Sequence, residues 1–275
     1  MSAELVNMED LVEHVSDTSS YHLPEFIGRF DLPSIGDFTL TKGMVVECVA
    51  ALLMVALFVP LAIKIRNGKP VRGRLWNLLE AFLLYLRNEV IVPSIGKKDA
   101  DRFTPFLWTL FFFILFCNLA GLIPWFGASP TGSLATTAVL ALAVFLVLIG
   151  SGMKKYGILG FWLGQVPKME LPIVLAVFLK PMLFVIEIVG LLIRHVVLAI
   201  RLLANMFAGH LVIAVIMGFI SAVAGGGVLL WGGVTLASLT LSTALYALEL
   251  FVAFLQAYIF MFLASIYIGM ALHQH

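Results

Sequence analysis

Charge is scarce in this chain: Asp, Glu, Lys and Arg make up 12% of its 275 residues, against 61% hydrophobic residues and a mean hydropathy of +1.06. Soluble domains carry roughly 25% charged residues. A polar surface around a soluble monomer is therefore excluded, and the composition is that of a polytopic membrane protein. Cysteine is nearly absent. Cys48 and Cys117 both fall in apolar stretches, where they read as small packing hydrophobes and not as a disulfide framework. No G-x-x-x-x-G-K-[ST] loop is present, which removes P-loop nucleotide chemistry. His-Glu-x-x-His, Gly-x-Ser-x-Gly and paired aspartates are missing as well, which argues against an intramembrane enzyme. The rival reading of a secondary transporter, with an arginine binding an anionic substrate, would call for paired repeats with Gly- or Pro-broken helices, and none is seen. The expectation is a chain without catalytic residues, cofactor, metal site or nucleic-acid partner.

The little charge there is lies unevenly. Residues 1–41 hold Glu4, Glu9, Asp10, Glu13, Asp17, Glu25, Asp31 and Asp37 against Arg29, whereas Lys64, Arg66, Lys69, Arg72, Arg74, Lys97, Lys98 and Arg102 crowd the next polar stretch. By the positive-inside rule that basic loop is cytoplasmic and the acidic N-terminal segment, 1–41, is extracytoplasmic. Lacking the marks of a signal or transit peptide, the chain is expected to insert by its first span, with residues 42–275 forming a single membrane domain.

Hydropathy predicts an all-α fold. Upright spans of about the ~20 residues a bilayer helix needs are expected over 44–63, 103–126 and 134–153. Between the first two, Leu75-Trp76, Leu78-Leu79, Phe82-Leu83 and Leu86 recur at helical spacing, which fits a helix lying on the membrane surface. Residues 157–168 read as a short connector. From 171 to 224 the apolar run is far longer than one upright span. Either two spans turn near Arg194-His195 or one long helix tilts strongly. No Gly, Pro, Asn or Asp cluster is there to make a hairpin, which favours the single helix. Gly225-Gly226-Gly227 and Gly232-Gly233 read as the turn into a second long helix over 234–272.

Both long helices carry polar stripes. At 100° per residue, positions seven apart share a face. Glu187, Arg194 and Arg201 keep that spacing, and Asn205 follows one turn on. Ser242, Glu249 and Gln256 keep it on the last helix, with Tyr246 close by. His210, nine residues past Arg201, points to the opposite side and could meet Glu249 if the two helices pack antiparallel.

A guanidinium at bilayer depth costs roughly 2.5 to 3.5 kcal/mol on insertion scales and by default marks an ion or substrate pathway. Arg201 stays charged and cannot relay a proton, whereas His210 and Glu249 can. Each group also has a plainer reading. His210 could be a packing donor, Glu187 and Arg194 an ion pair that eases insertion, and Asn205 and Gln256 interhelical hydrogen-bond partners. The plain reading is weakest for Arg201, since no acid lies at i±3 or i±4.

The block Arg201-Leu-Leu-Ala-Asn205-Met-Phe-Ala-Gly209-His210, preceded by Glu187 and followed by Glu249-Leu-Phe-Val-Ala-Phe-Leu-Gln256-Ala-Tyr258, closely resembles subunit a of F-type ATP synthases. Asn118-Leu-Ala-Gly121-Leu-Ile-Pro124 is similar to that family too, and the resemblance runs over most of residues 40–272. It implies a proton-translocating stator subunit of the Fo sector, whose two long helices face a rotating ring of c subunits. The b-subunit peripheral stalk and the rest of F1Fo would complete its partners; the membrane is either bacterial or organellar, the basic loop and missing transit peptide favouring a bacterial inner membrane, with the C-terminus expected on the cytoplasmic side. Arg201 would be the essential arginine that faces the ring carboxylates and separates two aqueous half-channels, flanked by Asn205 and Gln256. His210 and Glu249 would line the outer half-channel and Glu187 the cytoplasmic one. Ser242, Tyr246, Arg194 and His195 are further half-channel candidates. Arg194-His195 departs from the family, many of whose members carry Lys-Pro or a neutral pair. The tail His273-Gln-His275 reads as a solvated end.

Overall fold

The computed structural model describes residues 20–22, 29–31, 34–35, 38–39, 41–66, 73–123, 130–165 and 173–273. Two short antiparallel pairs come first: β1 (Ser20–His22) with β2 (Arg29–Asp31), and β3 (Ser34–Ile35) with β4 (Phe38–Thr39). All that follows is helical, and the fold is all-α in class. This is the outcome an apolar chain requires, because a helix satisfies its own backbone hydrogen bonds where no water can.

Helix α1 runs Lys42–Arg66 and α2 Arg74–Tyr85. A π-helical turn, Leu86–Ile91, leads into α3, Val92–Ile95. Pro93 has no N–H for the carbonyl of Glu89 and its ring crowds that oxygen, so the preceding turn widens and Val92 N–H reaches back to Arg87 O. Helix α4 spans Ala100–Gly121, α5 Leu134–Tyr156, α6 Ile158–Leu163, α7 Ile173–Ala222 and α8 Val228–Leu272. Five of these, α1, α4, α5, α7 and α8, are long and apolar enough to cross a membrane, and the chain is an integral membrane protein.

Helix α7 is one uninterrupted helix of 50 residues. At 1.5 Å per residue that is about 75 Å, more than twice the hydrocarbon thickness. The choice between two spans and one long helix is settled for the single helix, and no turn occurs at Arg194-His195.

Several expected boundaries move. The second span begins at Ala100 and its helix ends at Gly121, with a turn at Leu122; residues 124–126 lie outside the described residues. Part of the supposed connector 157–168 is helix α6. Gly232 and Gly233 are helical and form no turn, because α8 already starts at Val228. A helical glycine costs about 1 kcal/mol relative to alanine, whereas breaking a helix in apolar surroundings leaves backbone groups unsatisfied at several kcal/mol each. The chain reverses instead between Ala222 and Val228. There Gly226 N–H donates to Val223 O at 2.9 Å and Gly227 adopts φ 88°, a conformation that favours glycine.

The chain divides into two compact units. The first comprises Met1–Pro60, Phe112–Thr137 and Arg201–Ala257; the second comprises Leu61–Phe111, Ala138–Ile200 and Tyr258–His275. In the first, Asn118 is fully buried, donating from Nδ2 to Ala253 O at 3.1 Å and accepting from Thr131 Oγ1 at 2.6 Å. Ala253 and Ala257, both fully buried, are small enough to let helices come close. In the second, Leu148, Phe161, Leu191 and Ala271 form a core against which Phe145, Trp162 and Tyr267 pack. Tyr156 closes its edge by donating to Leu272 O at 2.7 Å.

Candidate functional site

Two polar clusters emerge, one in each unit. In the first unit, α7 supplies Arg201, Asn205 and His210, and α8 supplies Ser242, Tyr246, Glu249 and Gln256.

Asn205 donates from Nδ2 to Gln256 Oε1 at 2.9 Å, joining the two helices through an amide pair. Both residues come from the two stripes read in the sequence. Gln256 is 2% exposed and its Nε2 has no hydrogen-bond partner among the described residues.

His210 and Glu249 meet as the antiparallel arrangement requires, with His210 Nδ1 3.3 Å from Glu249 Oε1. The imidazole does not aim its hydrogen at that carboxylate, however. Nδ1 lies 2.8 Å from Met206 O and Nε2 2.8 Å from Gly121 O. Both partners are carbonyl acceptors, so a ring serving both must carry two N–H bonds. Taking up or losing a proton at His210 therefore makes or breaks one of these bonds. Both oxygens of Glu249, a residue 7% exposed, lack an aligned hydrogen bond among the described residues. A buried carboxyl left this way is costly and is the kind of group that otherwise pairs with water or with a mobile proton. Ser242 is buried with its Oγ unpaired in the same sense, whereas Tyr246 is exposed.

Gly209, quoted in the sequence motif but given no role there, turns out to matter. A Cβ built on it would run into the Glu249 carboxyl, lying 2.9 Å from Cδ and 3.3 Å from Cγ. The absence of a side chain at 209 is what lets the acid reach His210. Glu47, which belongs to neither polar stripe, lies inside the first apolar run and accepts from Thr136 Oγ1 at 2.6 Å. An acid within an apolar span is itself a signal, and it could have been read from the sequence.

Arg201 is exposed and makes no hydrogen bond or ion pair among the described residues. It differs in this from Arg194. In the second unit Arg194 NH2 lies 3.2 Å from Glu187 Oε1, the i, i+7 pair read from spacing, with both side chains about a third exposed. An ion pair so open to its surroundings is worth little, about 0 to 1 kcal/mol in water. His195 is 5% exposed, with Nδ1 2.8 Å from Leu191 O, and its ring is held between Phe145 and Tyr267 at centroid distances of 5.0 and 5.5 Å. Glu187, Arg194, His195, Tyr267, Gln165 and His273 line a cavity of about 270 Å³. His273, expected as part of a solvated tail, is exposed yet donates from Nε2 to Ile95 O at 2.8 Å; residues 274–275 lie outside the described residues. No group of three or more His, Cys, Asp or Glu suited to a metal occurs among the described residues.

These features can be set beside known proteins. The family described as ATP synthase A chain matches residues 44–269. The chain is 38% identical over 242 residues to an ATP synthase subunit a of Anaeromyxobacter dehalogenans, an alignment covering 87% of this chain and 59% of that relative. It is 36% identical to the subunit a of Myxococcus xanthus, over 87% of this chain and 76% of the relative. With that of Chloroherpeton thalassium it shares 35% identity, over 95% and 76%. The chain thus spans little more than half the length of the first of these and about three quarters of the other two. The match from 44 to 269 takes in α4, α5 and α7 whole, nearly all of α1 and α8, and every member of both polar clusters except His273, and on that ground the chain belongs to the ATP synthase A chain family.

Proposed function

We propose that this protein is the proton-translocating stator subunit of an ATP synthase Fo sector, working against a ring of c subunits within the F1Fo complex. The observation that carries the reading is Arg201: a permanent cation on an apolar helix, exposed, with no counter-charge among the described residues. A charge so placed in a membrane calls for an opposite charge from outside the chain, and a carboxylate on each rotor subunit supplies one.

In this mechanism a proton enters from the outside and passes the His210 and Glu249 region. It then neutralises a rotor carboxylate, which can afterwards face lipid. After almost a full turn the carboxyl meets the inner half-channel, which Glu187, Arg194 and His195 line, and the field of Arg201 favours its ionised form. Asn205 and Gln256, held to each other, flank the arginine, while Ser242 and Tyr246 extend the outer path. Arg201 also blocks direct leakage between the half-channels. Each proton crossing contributes about 2.3 kcal/mol per 100 mV, which drives rotation. The chain itself does no ATP chemistry. The b-subunit stalk holds it still, the N-terminal segment 1–41 lies outside, the C-terminus is cytoplasmic, and the membrane is a bacterial inner membrane. Residues 42–275 act as one membrane domain.

The test is Arg201→Ala in the complete complex, in inverted vesicles. ATP-driven proton pumping is expected to disappear while ATP hydrolysis by the assembled enzyme remains measurable. Normal coupled pumping would overturn the proposal.

A further inference from the structure

The His195 imidazole is built into the structure with one nitrogen occupied and one left open. Because the partner of Nδ1 is a carbonyl, Leu191 O at 2.8 Å, Nδ1 carries the hydrogen and the lone pair of the neutral ring sits on Nε2. That Nε2 is buried and has no hydrogen-bond partner among the described residues. The Phe145 and Tyr267 rings hold the imidazole in place. The cavity of about 270 Å³ that it lines is far larger than one water requires. The titratable or charged groups on this cavity are Glu187 and Arg194 from the same helix, Tyr267 from α8 and His273 just beyond it. Gln165, following α6, and Leu148 of α5 bring no charge.

Within the cavity the acid and the imidazole are not equivalent. Glu187 lies against a guanidinium that does not release its proton, at 3.2 Å. His195 Nε2 faces no such partner. We propose that the proton leaving the rotor on the inner side is carried by Nε2 of His195, and that Glu187, paired with Arg194, lines the cavity without relaying it. The inference rests on the stator reading above and names the group that does the inner transfer.

The step balances simply. The Nε2 lone pair takes the proton released by a rotor carboxyl, leaving a carboxylate on the rotor and an imidazolium on α7. The imidazolium passes that proton from Nε2 to water in the cavity, giving hydronium and restoring the neutral ring with its Nδ1 hydrogen still on Leu191 O.

The experiment uses the complete ATP synthase in inverted vesicles, with ATP hydrolysis as the measure of assembly and dye-reported proton flux as the readout. His195→Ala is expected to lower flux by about 10²-fold, the lower end of what a positioned acid–base group contributes, and added imidazole is expected to restore a substantial part of it. His195→Gln, which can keep a hydrogen bond to Leu191 O but cannot titrate, is expected to show the same loss and serves if the alanine variant fails to assemble. Glu187→Gln is expected to lose less flux than either and to show no response to imidazole. Full flux in His195→Gln, or a loss in assembled His195→Ala that imidazole does not relieve, overturns the inference. Arg201→Ala run in parallel separates the two levels. If it still pumps, the stator reading falls; if it is dead while His195→Gln is normal, only the role of His195 falls.

Discussion

Replacing Gly209 by alanine sets two effects of known size against each other. Intrinsic propensity favours the change, since alanine is preferred to glycine by about 1 kcal/mol in a helix interior. Packing opposes it. The new Cβ would lie 2.9 Å from Glu249 Cδ, whereas carbon contacts settle at about 3.5 to 4.0 Å, so the carboxyl has to withdraw by roughly 0.6 to 1.1 Å. Glu249 is 7% exposed and cannot swing away freely, and overpacking of this kind costs typically about 1 to 3 kcal/mol. Packing wins or draws in stability, and the larger effect falls on function. The 3.3 Å separation of His210 and Glu249 would open to about 4 Å, and a displacement near 1 Å can cost about 10²-fold in a positioned reaction. Gly218 on the same helix is the control, because a Cβ there meets nothing within 4 Å, and Gly218→Ala is expected to be neutral or stabilising by up to about 1 kcal/mol. Proton flux in vesicles and thermal stability of the purified complex measure both variants. Gly209→Ala is expected to lose flux by 10- to 100-fold with the complex assembled, and Gly218→Ala to keep it. Equal flux in the two variants would refute the reasoning.

Three further outcomes follow from the same geometry. His210→Ala should slow proton flow by about 10² or more while the complex still assembles, as flux and hydrolysis measured together would show; unchanged flux counts against the outer half-channel. Asn118→Ala removes the bonds to Ala253 O and Thr131 Oγ1 and should destabilise by about 2 to 4 kcal/mol, read as a lower unfolding temperature of the detergent-purified complex. Thr136→Val takes the hydroxyl from Glu47 and should cost about 0.5 to 1.5 kcal/mol, the net worth of an intramolecular hydrogen bond; a variant as stable as the parent would show that Glu47 finds another donor.

The sequence announced the spans and the polar pairs unequally well. Long apolar runs mark helices by composition alone, closed by basic residues in α1 and α5, so α1, α4, α5, α7 and α8 were all anticipated, including the unbroken α7. Spacing of seven found the Glu187–Arg194 ion pair, and antiparallel pairing foretold His210 beside Glu249. Glycine misled in both directions. Gly232 and Gly233 looked like a turn but stay helical, since in apolar surroundings an open backbone is the greater cost. Gly209 looked like an ordinary small residue, yet it is the place where a carboxyl from another helix comes in. That contact depends on interhelical distance, which a single sequence does not encode locally. The π turn at Leu86–Ile91 follows from Pro93, a cue that was there to be read. The pairing of β1 with β2 joins segments too short to show alternation.

The central claim concerns where the Arg201 guanidinium points once the complex is assembled. An image of the whole ATP synthase at side-chain resolution tests it most directly. The account predicts Arg201 opposite a rotor carboxylate, within the roughly 4 to 6 Å over which one charge governs another's ionisation. An Arg201 turned toward lipid headgroups, or paired with an acid of its own chain away from any rotor, would contradict it.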